Sequence, residues 1–435
     1  MKKAPIIIYI LLCTVFLLGM NPGAGGRIER PGAWKELGPQ GGNIRGIARN
    51  PKSPSELYAV TYSGMVFRSV NNGGSWTRKA AVNDYFYDVA IDPSNPSTIY
   101  VLAGNALYKS TDKGGSFTKI SLGNYCSAYE GAIAIHPSNP KIIMISGSFT
   151  YNTASWDECL AVFKTANGGQ SWTVTKFDTT STWAYGYDVV ISPKKPTLVY
   201  LCGVSYTNSG CTARVFQSIN GGKTWKNVTP DFINPYTYNY VYAVAADPTV
   251  ADRAFIVHSY GVTRTSNSGT TWENQTSPTW MYAYAITIDK AAPDTLYAGG
   301  HKTLYESTDG GQNWTTLSNG LYGTASKTLV QGQTLHFASD AGIFKSTDGG
   351  ETFAPGYKGV LAAEISGFVL HRAASSALGA GAKTLYAAAG GYGIFKSTND
   401  GGAWTKLANF AGSDDLACLV SPRADPRRIY VSTYG

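Results

Sequence analysis

The sequence predicts an all-β chain built from repeated four-stranded sheets, and three observations carry that expectation. The 435 residues combine 13% aromatic residues with only 15% charged ones, a composition that can bury a large core and excludes disorder as the main state. Apolar and β-branched residues cluster in short alternating runs broken by Gly, Pro, Asn and Asp, with few stretches at helical spacing, which excludes a helical bundle. The pattern Ser/Thr-x-Asp/Asn-x-Gly-x-Ser/Thr-Trp/Phe then recurs eight times, starting at Ser69, Ser110, Thr165, Ser218, Thr265, Ser307, Ser346 and Ser397, at a mean spacing of about 47 residues. Two copies depart at the seventh place, with Asn313 and Ala403.

Taken in order, the chain opens with Met1-Lys2-Lys3, an apolar run over 6–18 and small residues around Gly23-Ala24-Gly25, which reads as a signal peptide over 1–25 and places the mature protein outside the cytoplasm, secreted, periplasmic or on the cell surface. The apolar run is shorter than the ~20 residues of a spanning helix, and no later stretch reaches that length, so no stable membrane span is expected. The net charge of +8, or +6 once Lys2 and Lys3 are removed, is spread thinly with no basic run longer than a pair, so nucleic acid is not an expected partner. Among the cysteines, Cys202 and Cys211 flank a predicted hairpin and are expected to staple it; Cys126 and Cys159 form a second candidate pair, which leaves Cys418 odd. No CxxC or clustered histidine accompanies them, so no metal site and no cofactor is expected.

Each unit repeats the same frame. A strand leads to a turn built on proline, as in IDPSNPSTIY from Ile91, IHPSNPKIIM from Ile135 and ISPKKPTLVY from Ile191; two further strands follow, the third ending in pairs such as Val66-Phe67 or Ile343-Phe344, and then come the box and a fourth strand. Within the box the Asp or Asn side chain is suited to accept backbone N–H bonds, the Gly supplies the turn, and the terminal ring plugs the gap between sheets. These residues are therefore read as fold punctuation rather than as ligands or acids. Four strands per ~47-residue unit indicate a β-propeller.

The motif resembles the Asp-box, or bacterial neuraminidase repeat, of sialidases, sortilin-type receptor propellers, xyloglucanase-type glycoside hydrolases and photosystem II assembly factors. The resemblance covers 34–435 and implies the fold strongly, while the functions it spans include enzymes, receptors and assembly factors. Eight full units are flanked by two fragments: Trp34-Lys35-Glu36-Leu37 imitates a fourth strand, and 419–433 imitates a first pair of strands. Two arrangements stay open, a ninth closing blade made of both fragments, or a seven-bladed ring over 34–360 with the start of a second over 361–435; the second is favoured.

The connections leading into each unit, together with the middle hairpins, share one face, and rings gather there. Tyr85, Trp183, Tyr236, Tyr238, Trp280 and Tyr282 are the candidate binding residues, since flat amphipathic rings in a wet cleft suit sugar stacking or an extended peptide. Tyr187, Tyr242 and Tyr284, at strand starts, are expected to pack between blades. Carboxylates of the same face are Asp84, Asp88, Glu130, Asp157, Glu158, Asp188, Glu364, Asp414 and Asp415, and none stands out as a catalytic pair. The resemblance to sialidases implies an arginine triad and a Phe/Tyr-Arg-Ile-Pro segment, and no such segment occurs, while the Asp-x-Gly-Gly segment implied by xyloglucanases is replaced by Thr61-Tyr62-Ser63-Gly64-Met65. The expectation is a secreted binding or scaffold module for extracellular polysaccharide or protein, with a xyloglucanase-type glycoside hydrolase as the alternative.

Overall fold

The structure, a computed structural model, describes residues 41–433 except 125, 209, 234–238, 275–280, 357–360, 363–364, 373–382, 390–392, 399–402, 408–415 and 421–428. Tyr125, Tyr236, Tyr238, Trp280, Glu364, Asp414 and Asp415 lie outside the described residues, as do the leader and Trp34. The described residues are strands, turns and loops without a helix, and they form the expected propeller.

Seven antiparallel sheets follow one another in sequence as blades over 44–81, 86–121, 126–177, 183–227, 241–274, 283–317 and 325–355. Each blade's first strand lies innermost. The inner strand of the seventh blade, Ala325–Gln331, packs against both its predecessor Ala283–Ile288 and the inner strand of the first, Ile44–Arg49, so the sheets close into a ring. Each of the seven described blades is made of consecutive strands, and side chains bridge the closure. Ser326 donates to the Ile44 carbonyl at 2.6 Å, Arg49 to Gln331 Oε1 at 2.7 Å, and the Trp76 indole to the Gly356 carbonyl at 2.7 Å. Gly41–Gly42 adds a short parallel pairing with Leu361–Ala362. Beyond the ring lie a further four-stranded sheet, from Ile365–Arg372 to Thr405–Lys406, and the pair Leu416–Val420 with Tyr430–Thr433.

The boxes behave as the sequence predicts. In each fully described copy the opening hydroxyl accepts the N–H four residues on, as Ser69 does from Gly73 at 2.9 Å and Ser307 from Gly311 at 2.9 Å. The Asp or Asn accepts a later N–H, as Asp309 does from Asn313 at 2.9 Å, and these bonds hold the Asp309 carboxyl down at about 2. The terminal ring packs on the preceding blade: Trp76 lies with Ala338 and Ile343 of the seventh, and Trp272 donates to the Val228 carbonyl of the fourth at 2.7 Å. Ser307 is 1% exposed, so Ser307→Ala leaves the Gly311 N–H buried without a partner and is expected to cost about 1–3 kcal/mol, read as a shift in the urea midpoint.

The cysteine expectations are corrected. Cys126, Cys159, Cys202 and Cys211 are all buried free thiols. In the hairpin, Cys202 opposes Val215 while Cys211 opposes Tyr206, so the two sit four ladder positions apart, about 13 Å. Cys126 and Cys159 flank Phe149 from opposite neighbouring strands, about 9.5 Å apart, beyond the ~7 Å that a disulfide tolerates. Burial pushes both of these thiols up to about 11.

Candidate functional site

The site is the mouth of the central channel, and a repeated irregularity of the inner strands builds it. Six inner strands lose register once near their start, between Ile44 and Gly46, Phe86 and Asp88, Gly186 and Asp188, Val241 and Ala243, Ala283 and Ala285, and Ala325 and Lys327. A bulge of this kind takes one residue out of the pleat. The residues so released are Arg45, Tyr87, Tyr187, Tyr242, Tyr284 and Ser326, and all of them line one cavity of about 480 Å³. In the third blade the inner strand breaks outright between Cys126–Ser127 and Ile133–Ile135, and the intervening turn presents Glu130 at φ 61° to the same cavity, paired with Arg45.

Tyr187, Tyr242 and Tyr284 therefore line the channel, contrary to the expectation that they pack between blades, because the bulge rotates them out of the alternation on which that expectation rested. Their rings make a nearly continuous band: Tyr187 to Tyr242 at 5.9 Å, Tyr240 to Tyr242 at 5.6 Å and Tyr242 to Tyr284 at 5.0 Å between centroids. On the opposite rim Tyr85 stacks on Tyr62 at 4.7 Å, Tyr62 meets Tyr87 edge-on, and Arg45 lies 5.7 Å from both Tyr62 and Tyr87.

One layer deeper the residues after the bulges carry charge. Asp88 accepts the Val89 N–H at 2.9 Å and, from the next blade, the Ile133 N–H at 3.0 Å. Asp188 repeats the device two blades on, accepting the Val244 N–H at 3.0 Å. Lys327 of the seventh blade reaches past the first to contact Asp88 at 3.1 and 3.2 Å. The blade it passes carries Gly46, where a Cβ would stand 2.9 Å from the Asp88 Cα, so only glycine permits that approach. Burial opposes the Lys327 charge, yet Asp88 and Asp188 together hold its pKa above the usual lysine value. Burial raises the Asp188 carboxyl, with Lys327 offsetting part of the rise.

Of the loop-placed rings, Tyr85, Trp183 and Tyr282 are more than half exposed on the channel face but do not line the cavity. The hairpins Ile143–Asn152 with Asp157–Thr165 and Val199–Thr207 with Gly210–Ser218 have strands of nine or ten residues, against four to six in the middle hairpins of the other ring blades, and the second rises beside Trp183. Trp156, 68% exposed at φ 59° on the first tip, was not singled out by the sequence; an isolated Trp in a Thr/Ser/Asn turn was the available signal. Within the first hairpin Glu158 accepts the Ser148 hydroxyl at 3.0 Å, and burial raises its carboxyl above the usual value. The Tyr185 hydroxyl, raised first by burial, is raised further by both Glu158 and Glu130, which puts the two carboxyls within electrostatic reach of one ring. Other carboxylates of this face are committed elsewhere: Asp84 accepts from Tyr108 and Lys119, and Asp157 from Asn152 and Ser155.

Residues 64–202 match the family described as Sortilin, neurotensin receptor 3. A curated xyloglucanase of Hypocrea jecorina is 26% identical over 355 residues, covering 66% of this chain and 40% of the relative, so the chain spans well under half the length of that enzyme. Among solved structures, an ancestral GH74 enzyme superposes with TM-score 0.52 at 17% identity, covering 92% of this chain and 67% of the other. YCF48 from Cyanidioschyzon merolae superposes with TM-score 0.51 at 16% identity, covering 72% and 98%. The structural likenesses establish the propeller fold.

Proposed function

We propose that the protein is an extracellular glycoside hydrolase of the xyloglucanase type, acting on β-glucan polysaccharide laid across the channel face. The observation that carries the reading is the band of rings around the channel, in a chain whose sequence is similar to a curated xyloglucanase. Exposed Tyr85 and Trp183 offer stacking platforms for sugar rings. In this reading Glu158, biased by burial toward its protonated form, gives a proton to a leaving sugar oxygen, and Glu130, paired with Arg45, is the counterpart carboxylate. A second reading, glycan binding without cleavage, is favoured by Ser63-Gly64, where xyloglucanases would place a carboxylate and this chain has Ser63 facing Thr61 at 3.0 Å.

The test is release of reducing sugar from xyloglucan and mixed-linkage β-glucan, with binding measured in parallel by affinity electrophoresis. Hydrolysis that falls about a hundredfold in Glu158→Gln at unchanged folding supports the assignment. Retarded migration without sugar release selects the binding reading, and neither signal removes polysaccharide from consideration.

A further inference from the structure

Resting on the polysaccharide reading, we infer that the channel cavity is a pocket for the terminal sugar residue of a neutral glycan chain, so that the ring recognises a chain end as well as the stretch lying across its face. The shape requires an end. Residues of all seven blades line the cavity, and Lys327, bonded to Asp88 of the second blade and facing Asp188 of the fourth, stands in the channel below the tyrosines, in the path of a threading polymer. At about 480 Å³ the cavity falls within the roughly 300–1,000 Å³ of small-molecule sites and has room for one sugar residue and part of its neighbour.

The chemistry selects a neutral polyol. Both cations of the pocket are already matched, Arg45 by Glu130 and Lys327 by Asp88, so an anionic sugar finds no unpaired positive charge. A cationic ligand finds little more: Glu130 and Asp88 are matched in turn, Asp188 faces the same Lys327 ammonium and is biased by burial toward its neutral form, and Asp340 accepts the Thr324 N–H at 2.7 Å. What remains are the tyrosine rings for stacking, their hydroxyls as donors, the Asp188 carboxyl as an acceptor and the ammonium of Lys327, whose side chain is 39% exposed to the channel. Rings interleaved with a few convergent polar groups are how proteins hold sugars, which present apolar ring faces and polar edges.

The experiment titrates the whole protein calorimetrically with cello-oligosaccharides of increasing length and with xyloglucan polymer, expressing affinity per chain. An end pocket predicts a per-chain affinity that levels off at short length, and a Tyr242→Phe, Tyr284→Phe double variant that binds the oligosaccharides about tenfold more weakly at unchanged thermal midpoint. Should that variant not fold, protection of Tyr242 and Tyr284 from nitration by saturating oligosaccharide in the unaltered protein is the equivalent positive result. Affinity that climbs in proportion to chain length, or channel tyrosines nitrated equally with and without sugar, overturns the pocket while leaving the polysaccharide reading standing. Absence of binding to every glycan, polymer included, overturns both.

Discussion

Lys327→Met is expected to destabilise the ring by about 1–3 kcal/mol, less than the ~3–5 of a fully buried pair because the ammonium is 39% exposed to the channel, since it strips the counter-charge from a carboxylate that is itself buried. The Asp88 side chain is only 3% exposed and keeps two backbone N–H bonds after the substitution, which orient it without neutralising it. Asp188, facing the same ammonium, loses the interaction that holds down its raised carboxyl. The loss therefore reaches the second and fourth blades although the substituted residue belongs to the seventh. Urea unfolding measures it, and Lys327→Met combined with Asp88→Asn recovers part of the loss if the cause is an orphaned charge rather than a cavity. A double variant no more stable than Lys327→Met alone argues for lost packing instead. Since folding raises the Lys327 pKa, its contribution is complete below pH ~10.5 and fades as the pH climbs through the raised value.

The sequence made the blades legible for a specific reason. Box residues such as Ser69, Asn71 and Trp76 act within their own turn or on the adjacent blade, so local spacing carries the information. The channel was hidden because its residues meet only through ring closure: Asp88 and Lys327 are 239 positions apart. A trace was present in the recurrence of Tyr87-Asp88-Val89, Tyr187-Asp188-Val189, Tyr242-Ala243-Val244 and Tyr284-Ala285-Ile286. Strict two-residue alternation assigns those tyrosines to the gaps between blades; one bulge per strand reverses the assignment, and a bulge leaves no composition of its own. The disulfide expectation failed similarly, since the eight residues between Cys202 and Cys211 suit a bridge only if the turn is centred, and the turn lies next to Cys211.

Acid is expected to open the ring at the junction of its first and seventh blades, and His336 is the group that senses it. The imidazole is 1% exposed, with Nε2 3.1 Å from the Asn72 carbonyl and Nδ1 3.3 Å from the Arg49 guanidinium, an arrangement that fits a neutral ring donating to one and accepting from the other. Its fit is tight, because a Cβ on Gly73, itself at φ +77°, would lie 2.8 Å from Nε2. Burial lowers the His336 pKa to about 4, with Arg49 and Lys345 opposing protonation from either side while the Asn72 carbonyl favours it. A depressed folded pKa means the unfolded chain takes up the proton first, so the contribution is complete above pH ~6.5 and is lost as the pH falls toward 4, at most about 3 kcal/mol for this residue. His258, also lowered to about 4 by burial, adds a loss of the same sign, but within the fifth blade alone. The two are separable by where they act. Hydrogen exchange at pH 4.5 is expected to deprotect the Trp76 indole and the strand Thr334–Ser339 before the fifth blade, and His336→Gln is expected to flatten the stability loss between pH 6.5 and 4. An unchanged pH slope in that variant, or a Trp76 indole that stays protected while the fifth blade exchanges, places the acid sensitivity elsewhere.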